Sequence, residues 1–205
     1  MLIWIGSLLL LGTLLFYYLL QQSKKPSGRV GIFMMRLWNK VYMPLVKWSL
    51  TMTSSIKKGN KILDIGVGNG ASSRYLSTLA SEIQVTGIDI SKQAITSAQK
   101  LQSEANIDYQ IMDVQDLAFD NQSFDLITAF QTHFHWPNLT KSLQEIHRVL
   151  KKDGRVIFAS ETAKIQYFLP RHKQPTQFEK ELKALNFHHF TVHQTAQWTC
   201  YIFTK

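Results

Sequence analysis

Apolar positions along this chain fall into three patterns. The first is continuous: residues 2–20, LIWIGSLLLLGTLLFYYLL, carry no charge over nineteen positions. The second, over residues 31–55, mixes apolar and basic residues at helical spacing. Ile32, Met35, Trp38 and Tyr42 share one face there, and Pro44 predicts a break into two helices. From residue 61 onward short apolar runs alternate with amphipathic ones. KILDI (61–65) predicts a strand that ends in a glycine turn, and 71–81 a helix. EIQVTGIDI (82–90) predicts a strand, and 91–105 a helix with Ser91 as its N-cap. DYQIM (108–112) is a short strand, 113–123 a loop, and FDLITAF (124–130) a strongly apolar strand. Residues 139–152 place Leu139, Leu143, Ile146 and Leu150 on one helical face, with Asn138 as N-cap and Gly154 at the end. RVIFAS (155–160) is a fifth strand. A helix over 176–187 then precedes two adjacent β-rich runs, 188–196 and 197–205.

Strands alternating with helices predict an α/β fold with a parallel sheet covered on both faces. Two adjacent strands without a crossover helix predict an antiparallel pair at the end. The expected fold is a seven-stranded sheet, mostly parallel, with an antiparallel last strand. The chain then has three regions: an anchor over 1–22, a linker and helical cover over 23–57, and the sheet domain over 58–205. The cover reads as packing over a ligand site, with membrane contact through Arg36, Lys40 and Lys47 as a second reading.

As a helix, the first run spans ~29 Å, about the thickness of a bilayer's hydrocarbon core. Trp4 lies near one end and Tyr17 and Tyr18 near the other, where amphipathic rings favour the interface. Lys24, Lys25 and Arg29 come after it, and no Lys or Arg precedes it. A single-pass anchor with the C-terminal bulk in the cytoplasm is expected. A cleaved signal peptide fits less well, for want of a basic start and a small-residue cleavage site. Residues 21–28, QQSKKPSG, read as the linker. The formal net charge is +9, but the basic residues are scattered, so no nucleic-acid partner is expected. Cys200 is the single cysteine, which excludes an internal disulfide.

The chemistry concentrates at KILDIGVGNGASS, residues 61–73. Gly66, Gly68 and Gly70 let the backbone turn sharply and let a ligand approach closely. Gly66, Gly68 and Ala71 also satisfy the dinucleotide spacing G-x-G-x-x-A, and Asp89 lies 23 residues after Gly66, where an acid could hold ribose hydroxyls. Asp64 shifts the balance. A carboxylate beside a pyrophosphate is repelled, whereas one beside a cationic cofactor is useful.

The chain resembles the class I S-adenosylmethionine (SAM)-dependent methyltransferases, and within them the branch called methyltransferase domain 11. ILDIGVGNG (62–70) resembles their first motif and VTGIDIS (85–91) their second. MDVQDLAF (112–119) resembles the adenine-side loop. FDLITAF with HFHWPN resembles their fourth strand and the segment after it, and LQEIHRVLKKDGRVIFAS their stretch into the fifth. The resemblance covers residues 58–205 and implies a Rossmann-like sheet with SAM as cofactor. It implies that Gly66, Gly68 and Gly70 pass close to the methionine part, with Asp64 positioning that turn and the ammonium. It further implies Asp89 on the ribose, Ile90 on the adenine, Asp113 and Val114 at the adenine edge, and the Phe130 carbonyl on the ammonium.

Methyl transfer needs alignment first, and a general base only where the acceptor must lose a proton. His133 and His135, after the fourth strand, are the candidate bases. Tyr42 is a weaker one, standing where the family branch tends to carry histidine. The remaining histidines show no ligand-like spacing, so no metal site is expected. The segment 161–175 is short, which favours a small acceptor, and residues 2–20 suggest a lipophilic one such as a quinone-like ring or a lipid headgroup. Two other readings stay open: a membrane-tethered SAM-binding module without turnover, and an NAD-type oxidoreductase.

Overall fold

The computed structural model describes residues 10–19, 28–54 and 56–205. The chain divides into two compact units at the Pro44–Leu45 link. In the N-terminal unit, helix α1 occupies residues 10–19. Its Leu10, Leu11, Leu14, Leu15, Phe16 and Tyr17 are all more than half exposed. Among the described residues no helix is long and apolar enough to cross a membrane. Positions 1–9 and 20–27, which hold the rest of the expected anchor and most of the expected linker, lie outside the described residues.

Helix α2 spans Gly28–Thr51 with Pro44 inside it. The expected break into two helices therefore does not occur. Proline costs the helix one hydrogen bond and crowds the carbonyl four residues earlier. The turn after it is held by packing instead: Leu45, Val46 and Ser49 are fully buried, and Trp48 lies 5.6 Å from Trp198, centroid to centroid.

The C-terminal unit is built on one seven-stranded sheet. Its strands are β1 (Lys61–Ile65), β2 (Gln84–Asp89), β3 (Ile107–Ile111), β4 (Phe124–Phe130), β5 (Leu150–Glu161), β6 (His188–Gln194) and β7 (Trp198–Thr204). Their order is β3-β2-β1-β4-β5-β7-β6. The ladders joining β1 to β5 are parallel, and β7 runs antiparallel to both β5 and β6. The expected Rossmann-like sheet with a reversed last strand is therefore present, with β7 inserted between β5 and β6. Helices α3 (Ala71–Ser77), α4 (Lys92–Leu101), α5 (Leu139–Val149), α6 (Thr162–Phe168) and α7 (Pro175–Ala184) connect the strands.

Caps start the helices where the residue types demand. Ser91 accepts a hydrogen bond from the Ala94 amide at 3.3 Å, and Asn138 from the Lys141 amide at 3.0 Å. The helix expected to run to 152 stops at Val149. Leu150 is extended and already pairs with Phe124. The ladder then shifts register before Leu126 pairs with Arg155. Asp153 takes φ 61 within this irregularity, and a Cβ on Gly154 would strike the Leu150 side chain. Gly154 thus serves a bulge in β5 and not the helix end.

Alternating strand residues supply the core. Leu63, Ile65, Ile88, Ile127 and Ala129 pack with Leu143, Ile146 and Val149 of α5. Under α7 the core turns aromatic, with Phe158, Phe178, Phe187, Tyr201 and Phe203 all buried.

Candidate functional site

Strand order reverses at β1, which lies between β2 and β4. In open α/β sheets the carboxyl ends of the strands at such a point form a crevice. The glycine turn leaves β1 there. Gly66, Gly68 and Gly70 all have positive φ, at 74, 55 and 76°, a region that glycine enters without strain. The amides of Gly66 and Val67 donate to the Ile88 carbonyl at 2.7 and 3.1 Å, tying the turn to β2. A Cβ on Gly66 would run into the Thr132 side chain, whereas one on Gly68 would meet nothing within 4 Å. The turn is thus braced on one side and open at Gly68.

Asp89 ends β2 beside that opening. Its carboxylate accepts the Gly68 amide at 3.0 Å and the Ser91 amide at 2.8 Å, one on each oxygen. A carboxylate has about four lone-pair sites, so about two are left for a diol. The next residue, Ile90, is 72% exposed, an apolar side chain with little over it. Asp113, beyond β3, accepts the Gln115 amide at 2.9 Å and holds the Gln115 side chain at 3.2 and 3.3 Å. Val114 is buried beside it, and Phe130 is buried at the end of β4. Gln131 then takes φ 60. Its side-chain amide donates to Glu161 at 3.0 Å and accepts the Glu161 amide at 3.2 Å, tying the ends of β4 and β5 together. Every residue expected at the cofactor therefore sits at this edge of the sheet or directly beneath it.

Asp64 lies beneath the turn, 1% exposed. It accepts the hydroxyls of Ser72 and Ser73 at 2.6 and 2.7 Å on one oxygen, and that of Thr128 at 2.8 Å on the other. Burial pushes its pKa up, and the three hydroxyls oppose the shift. Its carboxylate thereby pins the start of α3 and the middle of β4 to β1. Tyr109 braces the turn from the β3 side. Its hydroxyl donates to the Gly70 carbonyl at 3.1 Å, and burial raises its pKa to about 12. A Cβ on Gly70 or Gly87 would collide with the Tyr109 ring. Sequence reasoning missed Ser72, Ser73, Thr128, Tyr109 and Thr132. Two adjacent serines right after the glycine turn were the one available signal. Thr128 and Tyr109 come from distant strands, and Thr132 from the turn after β4.

The two candidate bases occupy opposite environments within one 3-10 turn, His133–His135. His133 is 1% exposed and stacks on Phe158 at 5.1 Å, with Trp136 and Tyr201 edge-on. Its Nδ1 meets the Ser160 hydroxyl at 3.4 Å, and its Nε2 has no hydrogen-bond partner. Burial lowers its pKa to about 3. His135 is exposed on the rim, tilted against Phe134 and edge-on to Phe168. Partial burial and then the charge of Lys164 lower its pKa.

A nucleoside cofactor suits this edge: a carboxylate for a diol, an apolar platform next to it, a second acid further along, and a glycine turn with room at Gly68. At the turn itself the Arg74 guanidinium donates to the Asn69 carbonyl at 2.8 Å, and so braces the backbone between Gly68 and Gly70.

Comparison with known proteins narrows the class. Residues 63–158 match the family model described as a methyltransferase domain. The ubiquinone biosynthesis O-methyltransferase of Coxiella burnetii is 29% identical over 144 residues, covering 69% of this chain and 58% of that protein. The phthiotriol/phenolphthiotriol dimycocerosates methyltransferase of Mycobacterium leprae is 28% identical over 109 residues, covering 53% of this chain and 40% of that protein. Among solved structures, phosphoethanolamine N-methyltransferase 2 of Haemonchus contortus, in complex with S-adenosyl-L-methionine, shares the fold. It has a TM-score of 0.67 at 19% identity over 78% of this chain and 52% of its own. The chain spans about two fifths to three fifths of the length of these curated relatives. The chain is thus similar in sequence to methyltransferases over residues 63–158, and its sheet unit shares the fold of a solved SAM-bound methyltransferase.

Proposed function

We propose that this chain is a membrane-anchored methyltransferase that passes a methyl group from S-adenosylmethionine to a small lipophilic acceptor, with its sheet unit on the cytoplasmic side. The observation that carries the reading is the Asp89 carboxylate, held by the Gly68 and Ser91 amides at the open point of the glycine turn. When bound, the cofactor supplies a methyl group already activated by a positive sulfur. The chain's own task is then alignment. Asp89 would orient the ribose, Ile90 and Val114 would flank the adenine, and Asp113 would take its amino group. The Phe130 carbonyl would face the ammonium. Gly66, Gly68 and Gly70 would let the backbone come close, on a turn that Asp64 holds from below.

Where an acceptor hydroxyl must shed its proton, His135 is the better placed candidate. It stands on the rim, and its lowered pKa keeps it neutral and able to accept a proton at neutral pH. His133 has no exposed nitrogen and serves as a wall. The membrane part of the reading is supported by the uncharged run of residues 2–20 and by the exposed leucines of α1. An acceptor with a hydroxyl on a lipophilic ring is supported by the relative named for O-methylation in ubiquinone biosynthesis. To test this, the full chain is incubated with methyl-labelled SAM and a membrane lipid extract. Label should enter a lipid-soluble product. Label appearing only in water-soluble metabolites would contradict the acceptor class.

A further inference from the structure

The segment after β5 is anchored by few side chains and leaves several large ones outside. Ile165 is buried in the core, and His172 is buried with its Nε2 2.8 Å from Glu181. Between and beyond these two anchors, Tyr167 is 79% exposed and Phe168 46% exposed. Arg171 and Lys173 are exposed in the adjoining 3-10 turn and its cap. Lys164, one turn earlier, is paired with Glu161 at 3.2 Å. Two exposed rings and two exposed cations therefore lie within seven residues of one surface segment.

Tyr167 and Phe168 lie 4.9 Å apart, centroid to centroid, and a contiguous exposed apolar patch rimmed by polar residues marks an interaction site where single exposed rings do not. Rings with a polar or flat apolar body, flanked by Lys and Arg, match the boundary between headgroups and acyl chains. The segment is also continuous with the site. Phe168 stacks on Phe134 at 5.4 Å and 15°, and His135 lies 5.2 Å from Phe168. Phe134 and His135 belong to the turn after β4, one residue beyond Thr132, whose side chain lies against Gly66.

We infer that residues 164–173 form a second membrane contact, seating the sheet unit's active edge on an anionic lipid surface. Tyr167 and Phe168 enter the headgroup boundary, and Arg171 and Lys173 face the anionic headgroups. The charge of the segment selects the partner: its exposed cations have no exposed acid between them in 167–173, and the whole chain carries a net charge of +9. A lipophilic acceptor would then reach His135 and the cofactor edge along the Phe134–Phe168 stack without crossing bulk water. This contact goes beyond the N-terminal anchor and does not depend on it. Only its link to the acceptor rests on the methyltransferase reading.

The test is hydrogen exchange on the full chain, reconstituted into phosphatidylcholine nanodiscs or into mixed phosphatidylcholine and phosphatidylglycerol nanodiscs. Each cation near an anionic surface is worth about a factor of five, so Arg171 and Lys173 together favour the contact by about twenty-five-fold. Amides in 164–173 should exchange more slowly in the mixed discs. The difference should disappear in the Arg171→Glu/Lys173→Glu variant and shrink in Tyr167→Ser. Equal exchange in both lipids, whether fast or slow, would overturn the inference. Adding S-adenosylhomocysteine in the same experiment reads the cofactor site separately, through the amides of 66–70 and 89–91. Failure of either reading is then seen apart from the other.

Discussion

His133 carries a quantitative consequence for stability. Its ring is sealed among Phe158, Trp136 and Tyr201, with Nε2 unpartnered. Burial holds its folded pKa at about 3, against an ordinary value of about 6.5. A depressed folded pKa means that the unfolded chain binds the proton first. The stability tied to the neutral ring is thus fully present above about pH 6.5 and is lost as pH falls towards 3. Each pH unit in that window costs about 1.4 kcal/mol. At about pH 5 the loss is roughly 2 kcal/mol, and this figure is set by the unfolded value, since pH 5 lies well above the folded one. His133→Phe keeps a ring stacked on Phe158 and removes the titrating group. Its repacking cost, about 1–3 kcal/mol, is the same at both pH values and cancels in the comparison. The assay is urea unfolding, monitored by tryptophan fluorescence at about pH 7.5 and about pH 5. Wild type should lose about 2 kcal/mol more than the variant between the two conditions. Equal losses would refute the claim that His133 is buried neutral, because every other group is common to both proteins.

The site gives three further expected outcomes. Gly70→Ala places a side chain at φ 76 and against the Tyr109 ring, so it should destabilise by about 1–2 kcal/mol from backbone strain alone and weaken cofactor binding. Combined with Tyr109→Ala, the loss should be less than additive in thermal unfolding; strict additivity would deny the contact. Asp64→Ala strands three hydroxyls that now share one carboxylate and should lower stability by about 2–4 kcal/mol, read as a shifted unfolding midpoint. His135→Asn should remove the acid limb of the pH–rate profile for a hydroxyl acceptor while leaving cofactor affinity unchanged. An unaltered acid limb would free His135 of any proton-accepting role.

What could be read from the chain was local or periodic. Strand runs, the glycine turn and the caps Ser91 and Asn138 are set by residues within one or two turns of one another, and the structure keeps them. What could not be read depends on distance or on a balance of costs. Thr128 reaches Asp64 from 64 positions away, and Tyr109 reaches Gly70 from 39. No periodicity announces either contact. Pro44 looked like a break because its local cost is real, yet buried Leu45, Val46 and Ser49 hold the helix beyond it. Gly154 looked like a helix end because glycine suits one, but strand pairing from Leu150 claimed the residues before it. His133 and His135 are two positions apart and alike in the sequence. The 3-10 turn sends one ring into the core and leaves the other on the rim.

The central claim is that Asp89 and the glycine turn hold S-adenosylmethionine. Calorimetric titration of the full chain with S-adenosylmethionine and S-adenosylhomocysteine, with NAD as control, tests it most directly. Micromolar binding of both sulfur cofactors is expected, with none of NAD, and loss of binding in Asp89→Ala with the fold intact. A folded wild-type protein that binds neither sulfur cofactor, or an Asp89→Ala variant that binds them undiminished, would contradict it.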